Sequence, residues 1–405
     1  MTRRRKVWLI LAVVAVIAVI GWLVLQRMAV DNPAISGAMD SLTALPYVQW
    51  SSVSGEEREK RGVVFHDAER SWAGLNIYCA ESRPGGVVLN MEGRVVHSVV
   101  DRRKGADNCK LLEPLGDDRF LLLTVEGTLL DIDRGSRILR QKNLWFHHDM
   151  AVAEDGQTWT LIKQADYKPG IARLRPVLNH YIVILDDDWN EVRRISYADI
   201  VLRNPDLLKA VKTRRNQQIF DLTDNIFNSN TIEIIPHDVV RDGKVIFRKG
   251  HILVSWRNID TIGVLDPDTE EFAWKWGPGE LEHPHHPSLL ENGNLLIFDN
   301  GKFRGSSRVI ELDPVTEEIV WQYEADPPES FFSRSRGAAQ RLPNGNTLIT
   351  ESTRGHVFEV TTEGDIVWDF WEPQLRKGFL TGSTERSTIY RMMRIPDPGA
   401  SAAGS

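Results

Sequence analysis

One pattern recurs along most of the chain: an apolar strand, an acidic or polar turn, then a second apolar strand that often ends in tryptophan. The copies read VVLNMEGRVVH, LLDIDRGSRIL, IVILDDDWNEVRR, IGVLDPDTEEFAWKW, VIELDPVTEEIVWQY and VFEVTTEGDIVWDF. Their turns are built from Asp, Gly, Asn and Thr, the residues that close tight hairpins. Asn90, Asp133, Asp186, Asp266, Asp313 and Thr361 fall at equivalent places. A second strand pair precedes many copies, as in DDRFLLLTVEGT, GHILVSWRN, NGNLLIFDNG and NGNTLITEST. Two hairpins per unit at a period of roughly 40–50 residues is the signature of a β-propeller. The repeats therefore predict an all-β fold, a six-bladed β-propeller over residues 71–373. A set of unrelated hairpins in a sandwich would not keep so regular a spacing.

The step from Asp186 to Asp266 is the long one and predicts an insertion at about 197–225, helical at first, with Leu202, Leu207, Leu208 and Val211 on one face. Residues 28–70 read as a linker and N-terminal segment, and 374–405 as a C-terminal tail. The Pro-, Gly- and Ser-rich stretch from Pro398 to Ser405 is expected to be disordered.

The N-terminus sets the compartment. Arg3, Arg4, Arg5 and Lys6 precede an uncharged run from Val7 to Leu25. A helix of that length is about 28 Å long, close to the thickness of a bilayer's hydrocarbon core. Residues 1–27 are thus expected to be a cytoplasmic stub and a single transmembrane helix, with the propeller in the periplasm of a bacterial inner-membrane protein. The run is longer than the apolar part of a cleaved signal, and QRMAVDNP offers no convincing cleavage site. Cys79 and Cys109 then lie in an oxidising compartment and are expected to pair. The net charge is −7, and the basic residues around the anchor leave the remainder more acidic still. No basic footprint for nucleic acid exists, and the body should not cling to anionic lipid.

Two of the eleven histidines occupy matching places. His148, in FHHDMAVAEDG, stands eight residues before Gly156, and His285, in HPHHPSLLENG, eight before Gly293. Each precedes the innermost strand of a blade, where residues from different blades converge on one central space. Asn228 and Asn230, in NSNTIEII, precede another such strand, and Arg257 ends the strand in SWRN. Imidazole can act as nucleophile or proton carrier, and a guanidinium forks onto sulfate or phosphate. Two histidines and an arginine around a cavity suit transfer of an anionic group. The adjacent His147 and His286 would point elsewhere. The run His283, His285, His286 has no recognisable metal-ligand pattern. Asp299-Asn300-Gly301 and Glu351-Ser352 read as turn and blade-end residues.

These stretches carry a resemblance. FHHDM, NSNTIEII, ILVSWRNIDTIGVLDPDTEEFAWKWG, HPHHPSLLENGNLLIFDNG and AAQRLPNGNTLITESTRGHVFEVTTEGDIVWDFWEP resemble the bacterial arylsulfate sulfotransferase family. The resemblance implies an exported six-bladed propeller that moves a sulfuryl group from an aryl sulfate donor to a phenolic acceptor, with no cofactor and without the nucleotide donor PAPS. By motif match it implies His285 as the nucleophile, His148 as the group assisting proton transfer, Arg257 as the clamp on the sulfuryl oxygens and Asn230 as a polar neighbour. Asn228 departs from the pattern, since the family has histidine there. Asparagine can donate a hydrogen bond but cannot act as an acid or base near neutral pH. A non-catalytic, membrane-anchored propeller that binds a ligand or protein partner is the alternative. A quinone dehydrogenase is disfavoured by six copies where that class has eight blades.

Overall fold

The computed structural model describes residues 49–397 apart from 54, 117, 174–175, 218–224 and 379–381. The expected transmembrane helix and the expected disordered end lie outside the described residues. Among the described residues no helix is long and apolar enough to cross a membrane.

The fold is all-β and propeller-like. Among the described residues the strands form eight sheets, and the six larger ones, of four or five strands each, carry the repeat. The second sheet holds Cys109–Pro114, Arg119–Thr124, Thr128–Asp133 and Ile138–Asn143, and the third holds Phe146–Val152, Thr158–Asp166, Val177–Leu185 and Glu191–Ser196. The fourth holds Ser229–Ile234, Ile252–Trp256, Thr261–Asp266 and Glu271–Trp276, and the fifth His285–Leu289, Leu295–Asp299, Arg308–Leu312 and Ile319–Tyr323. The sixth runs Ala338–Arg341, Thr347–Glu351, His356–Val360 and Ile366–Trp371.

The first sheet is built differently. Leu75–Ala80, Gly85–Leu89 and Val95–Val100 are joined at the inner edge by Ile389–Ile395, which pairs antiparallel with Leu75–Ala80. Conversely, Gly62–His66 adds a fifth strand to the outer edge of the sixth sheet, with Gly62 opposite Trp371. This corrects the expected boundaries. Pairing runs past Pro373, where the sequence reads a tail, because Ile389–Ile395 is the edge strand beside Leu75–Ala80. Both ends of the chain are thereby stitched into sheets, which removes edges that would otherwise stay unpaired.

The first strand of each sheet lies beside the first strand of the next, and Ile389–Ile395 lies beside Cys109–Pro114, so six inner strands form a closed ring. Apolar side chains fill the spaces between sheets. Phe298, Phe331, Phe358 and Ile349 pack between the fifth and sixth, and Tyr78, Leu89, Trp368 and Phe370 between the sixth and first. The recurring tryptophans bridge neighbours. Trp321 Nε1–H donates to the Thr362 carbonyl at 2.9 Å, and Trp368 Nε1–H to the Met91 carbonyl at 2.8 Å. Each indole buries its ring yet satisfies its one donor across the sheet boundary.

All six turn residues that mark the repeat do the same work. Asn90, Asp133, Asp186, Asp266, Asp313 and Thr361 each accept a backbone N–H from their own turn through the side-chain oxygen. Such local bonds fix the hairpin before any long-range packing forms. Cys79 and Cys109 are joined in a disulfide, with a Cα–Cα separation of 5.5 Å.

Residues 163–181 and 196–227 make a second compact unit. It carries helix α1 (Tyr197–Arg203) and helix α2 (Pro205–Gln217). Ser196 caps α1 by accepting the Asp199 N–H at 3.2 Å, and Tyr197, Ala198, Ile200 and Val201 are its buried residues. Leu207 and Val211 of α2 are buried as the spacing predicts, whereas Leu202 is partly exposed and rests against Gly170.

Candidate active site

The inner strands are irregular where they begin. Pairing slips between Cys109 and Leu111, between Phe146 and Met150, between Ser229 and Thr231, and between His285 and Ser288. These are bulges, and a bulge re-aims the side chains at its centre. His148, Asn228, His286 and Arg336 also adopt positive φ, at 65°, 45°, 46° and 64°. Left-handed backbone at non-glycine residues is costly and gathers where function needs a particular direction. The histidine and asparagine motifs read from the sequence are these bulges.

His285 leads the inner strand of the fifth sheet and is only 4% exposed. Its Nδ1 lies 3.0 Å from the His283 carbonyl and 2.6 Å from Asn300 Oδ1. Asn300 in turn donates through Nδ2 to the carbonyls of Ser333 and Arg336, both at 2.6 Å. That fixes which end of the amide faces the histidine. Both groups beside Nδ1 are therefore acceptors, so Nδ1 carries the proton and Nε2 holds the lone pair. The Arg336 N–H approaches that Nε2 at 3.3 Å. Burial, and next the positive charge of Arg257, push the His285 imidazole down to about 3. The ring is neutral at physiological pH, as a nucleophile must be.

Gly337 shows how closely this corner is packed. A Cβ there would come within 2.4 Å of the Phe298 ring, at a φ of 146°. Next to it, the Arg336 guanidinium is tied to Glu81, which also accepts from Thr388 Oγ1 at 2.8 Å.

Arg257 opens a short 3-10 turn after the strand Ile252–Trp256. Its Nη1 donates to Asn258 Oδ1 at 2.9 Å. Asp260 closes that turn and accepts the His283 N–H at 2.7 Å through Oδ1. The arginine turn and the histidine loop are thus bonded to each other. Asn230 Nδ2 and Ser255 Oγ both donate to the Pro284 carbonyl, at 2.9 and 3.0 Å. Asn230 Oδ1 accepts from Thr231 Oγ1 at 2.8 Å. Asn230 therefore holds the backbone that presents His285.

His148 is 4% exposed, and its Nδ1 lies 2.6 Å from Nδ1 of His147. One of these nitrogens donates and the other accepts, so the pair shares a proton. The His148 ring meets the Tyr390 ring edge-on, 6.3 Å between centroids. His286, expected to point elsewhere, places its Nδ1 3.1 Å from the Ala339 carbonyl, and burial holds its imidazole well below the usual range. Beyond these lies a buried charged cluster. Arg391 donates to Asp149 Oδ1 at 3.0 Å and lies 3.5 Å from Glu113. Burial raises Glu113 to about 7 and Glu233 to about 8.

The structure therefore brings His285 and Arg257 together, with Asn230 behind the histidine loop and His148 beside Tyr390. Three residues near these side chains carry no sequence motif. Asn300 stands in a turn-like Asp-Asn-Gly, and its bond to His285 Nδ1 shows only in the structure. Lys110 and Tyr390 sit in apolar strands that carry no histidine motif. Among the described residues no group of three or more His, Cys, Asp or Glu side chains could hold a metal ion.

Residues 136–373 match the family model described as "Arylsulfotransferase (ASST)". The chain belongs to the arylsulfotransferase family. The match begins in the turn before the last strand of the second sheet and ends after the sixth. It leaves the first sheet, most of the second and the strand Ile389–Ile395 outside. No curated protein matches the chain. Among solved structures this arylsulfotransferase is similar in fold to a protein of unknown function from Bacteroides caccae, at TM-score 0.52 and 12% identity, over 80% of this chain and 100% of that one. Virginiamycin B lyase from Staphylococcus aureus aligns at TM-score 0.41 and 10% identity, over 81% of this chain and 89% of that one. The WD40 β-propeller domain of Doa1 aligns at TM-score 0.44 and 10% identity, over 87% and 99%.

Proposed function

We propose that this arylsulfotransferase carries a sulfuryl group from an aryl sulfate ester to an acceptor phenol through a sulfohistidine at His285, within a six-bladed propeller. The observation that carries this reading is the pinned tautomer of His285. Two oxygen acceptors hold its Nδ1–H, so the lone pair sits on Nε2, where it accepts a long bond from the Arg336 N–H that a sulfuryl group would displace, in a ring kept neutral by burial and Arg257.

In the first half-reaction the Nε2 lone pair forms an N–S bond. The S–O bond to the phenol breaks, and its electron pair leaves on the phenolic oxygen. The imidazole becomes cationic, and the Asn300 and His283 oxygens on Nδ1–H stabilise that charge. Arg257 offsets charge on the sulfuryl oxygens, the kind of prearranged electrostatic help that dominates such transfers. His148 enters this step as an imidazolium: its Nδ1–H donates to His147 Nδ1, its Nε2–H goes to the leaving phenolate, and His148 is left neutral. In the second half-reaction the acceptor phenol returns a proton to His148 and attacks sulfur, and the N–S bond's electron pair goes back to Nε2. Asn228 contributes no proton to either half. Its place just before the strand Ser229–Ile234 suits a hydrogen-bond donor.

The same proposal keeps residues 1–27 as a membrane anchor and the propeller on the periplasmic side of a bacterial inner membrane. The disulfide between Cys79 and Cys109 supports an oxidising compartment.

The test mixes the protein with an aryl sulfate whose phenol is coloured, with and without acceptor, and follows release alongside intact mass. Acceptor-dependent release with a gain of one sulfuryl group, both absent in His285→Asn, is the expected result. Wild-type turnover by His285→Asn would overturn the assignment.

A further inference from the structure

The residues assigned so far receive the sulfuryl group, and none of them but His148 attends to the phenol. Two residues outside the family match stand beside His148, Tyr390 against its ring and Lys110 against Tyr390. Lys110 is the second residue of the second sheet's inner strand, and it is 2% exposed. The pairing register passes from Cys109 opposite Thr124 to Leu111 opposite Leu123, so Lys110 is itself the bulged residue. It occupies on its strand the kind of place that His148 and Asn230 occupy on theirs. Its Nζ lies 4.9 Å from the centroid of the Tyr390 ring.

Tyr390 in turn meets His148 edge-on. Lys110, Tyr390 and His148 thus come from three inner strands that are neighbours in the ring, and they form one continuous wall. Of the charges that bear on the His285 imidazole, that of Lys110 is the weakest, after that of Arg257. Its ammonium lies against the face of the Tyr390 ring.

We propose that Lys110, backed by Tyr390, is the phenol-side half of the site: its ammonium receives the negative charge that develops on the phenolic oxygen, and the Tyr390 ring flanks the aryl group. The inference rests on the sulfuryl-transfer reading for its chemistry. It divides the work between two cations, Arg257 on the sulfuryl oxygens and Lys110 on the leaving or attacking oxygen. It also makes the enzyme selective for aryl over alkyl sulfates, because a flat ring can lie along Tyr390.

The experiment compares native protein, Lys110→Met and Lys110→Arg across aryl sulfates whose phenols span a range of acidity. Melting curves accompany each variant to establish folding. If Lys110 stabilises the leaving oxygen, Lys110→Met should lose roughly tenfold in rate with a nitrophenyl sulfate and roughly a hundredfold with a methylphenyl sulfate, since the poorer leaving group needs the charge more. Lys110→Arg should keep most of the rate. A structural role would instead lower all substrates by the same factor, and that result, or no loss at all, would overturn the proposal while leaving His285 chemistry intact.

A second arm is independent of turnover: the spectrum of 4-nitrophenol mixed with each protein. Native protein should bind the phenolate form and shift its ionisation to lower pH, and Lys110→Met should not. That outcome upholds Lys110 even if no sulfuryl transfer is found with any donor. Native protein that leaves the spectrum unmoved overturns the proposal whatever the transfer assay shows.

Discussion

The stretch that matches the family and the stretches that flank it contribute to the ring in different ways. Residues 136–373 bring His148, Arg257 and His285, set out in short motifs with histidine, arginine and proline at fixed offsets. The flanks bring Lys110, Glu113, Tyr390 and Arg391 on strands that read as plain apolar segments. The matched part holds the nucleophile by hydrogen bonds within and between its own sheets. The flanks supply charge and aromatic surface, and they close the ring, because Ile389–Ile395 lies between the sixth sheet's inner strand and that of the second. The comparison teaches that a motif marks where bonds to the reacting atoms are made. The remainder of a central site can be supplied by residues that only topology brings in.

That division can be broken most severely by removing the C-terminal flank. A chain ending at Pro373 lacks the strand that pairs with Leu75–Ala80, which strips the first sheet of its inner edge and Tyr78, Leu89 and Trp368 of Met392 and Ile389 as core neighbours. It is expected to lose cooperative unfolding altogether, and near-ultraviolet circular dichroism with a thermal melt would show it. A sharp native-like melt in the shortened chain would mean that the matched part folds alone.

Within the matched part, Asn300→Ala should leave the fold in place and lower transfer by about a hundredfold, since the nucleophile's tautomer would no longer be held. The check is the rate of adduct formation together with nitrogen chemical shifts of the His285 ring. An unchanged tautomer with a full rate would remove Asn300 from the mechanism.

In the flank, replacing Cys79 and Cys109 by serine should cost about 2–4 kcal/mol of stability, read from denaturant midpoints. A larger fall in activity than in stability would sharpen the link between the disulfide and the neighbouring Lys110.

The smallest effect concerns protons. Burial raises Glu233 to about 8 and Glu113 to about 7 from the ordinary glutamate value of 4.5. Between those values the folded protein keeps protons that the unfolded chain releases, so stability falls as pH rises through the window. The His285 imidazole, lowered to about 3 from 6.5, acts oppositely and only below pH 6.5, where stability rises with pH. Above pH 6.5 the carboxyls act unopposed by that imidazole. Glu233→Gln should therefore flatten the loss of stability between pH 6.5 and 8, as measured by melts across that range. An unaltered slope would show that Glu233 ionises freely in the folded state.

Much of the fold could be read from the sequence because its signals are local. The six turn residues each bond their own turn, and two of the recurring tryptophans, Trp321 and Trp368, bond across to a neighbouring sheet. The C-terminal strand could not be read this way. Its partner Leu75–Ala80 lies at the other end of the chain, and no turn residue links them. The same reasoning separates the site residues. His285, His148 and Arg257 stand out because imidazole and guanidinium are scarce in strands. Asn300 stands in a dipeptide common in turns, and its function appears only once the bond to His285 Nδ1 is seen. Lys110 is one lysine among many until the bulge and the Tyr390 ring turn it inward.

The closing strand also has a meaning in time. Synthesis delivers a chain from its N-terminus, at about 5–20 residues per second, so the nucleophile emerges well before the aromatic wall. Until Ile389–Ile395 arrives, the first sheet lacks its inner edge and Lys110 has no ring to rest against. In the reading proposed here, the phenol-side wall is therefore assembled only once Ile389–Ile395 has paired with Leu75–Ala80, long after His285 has left the ribosome.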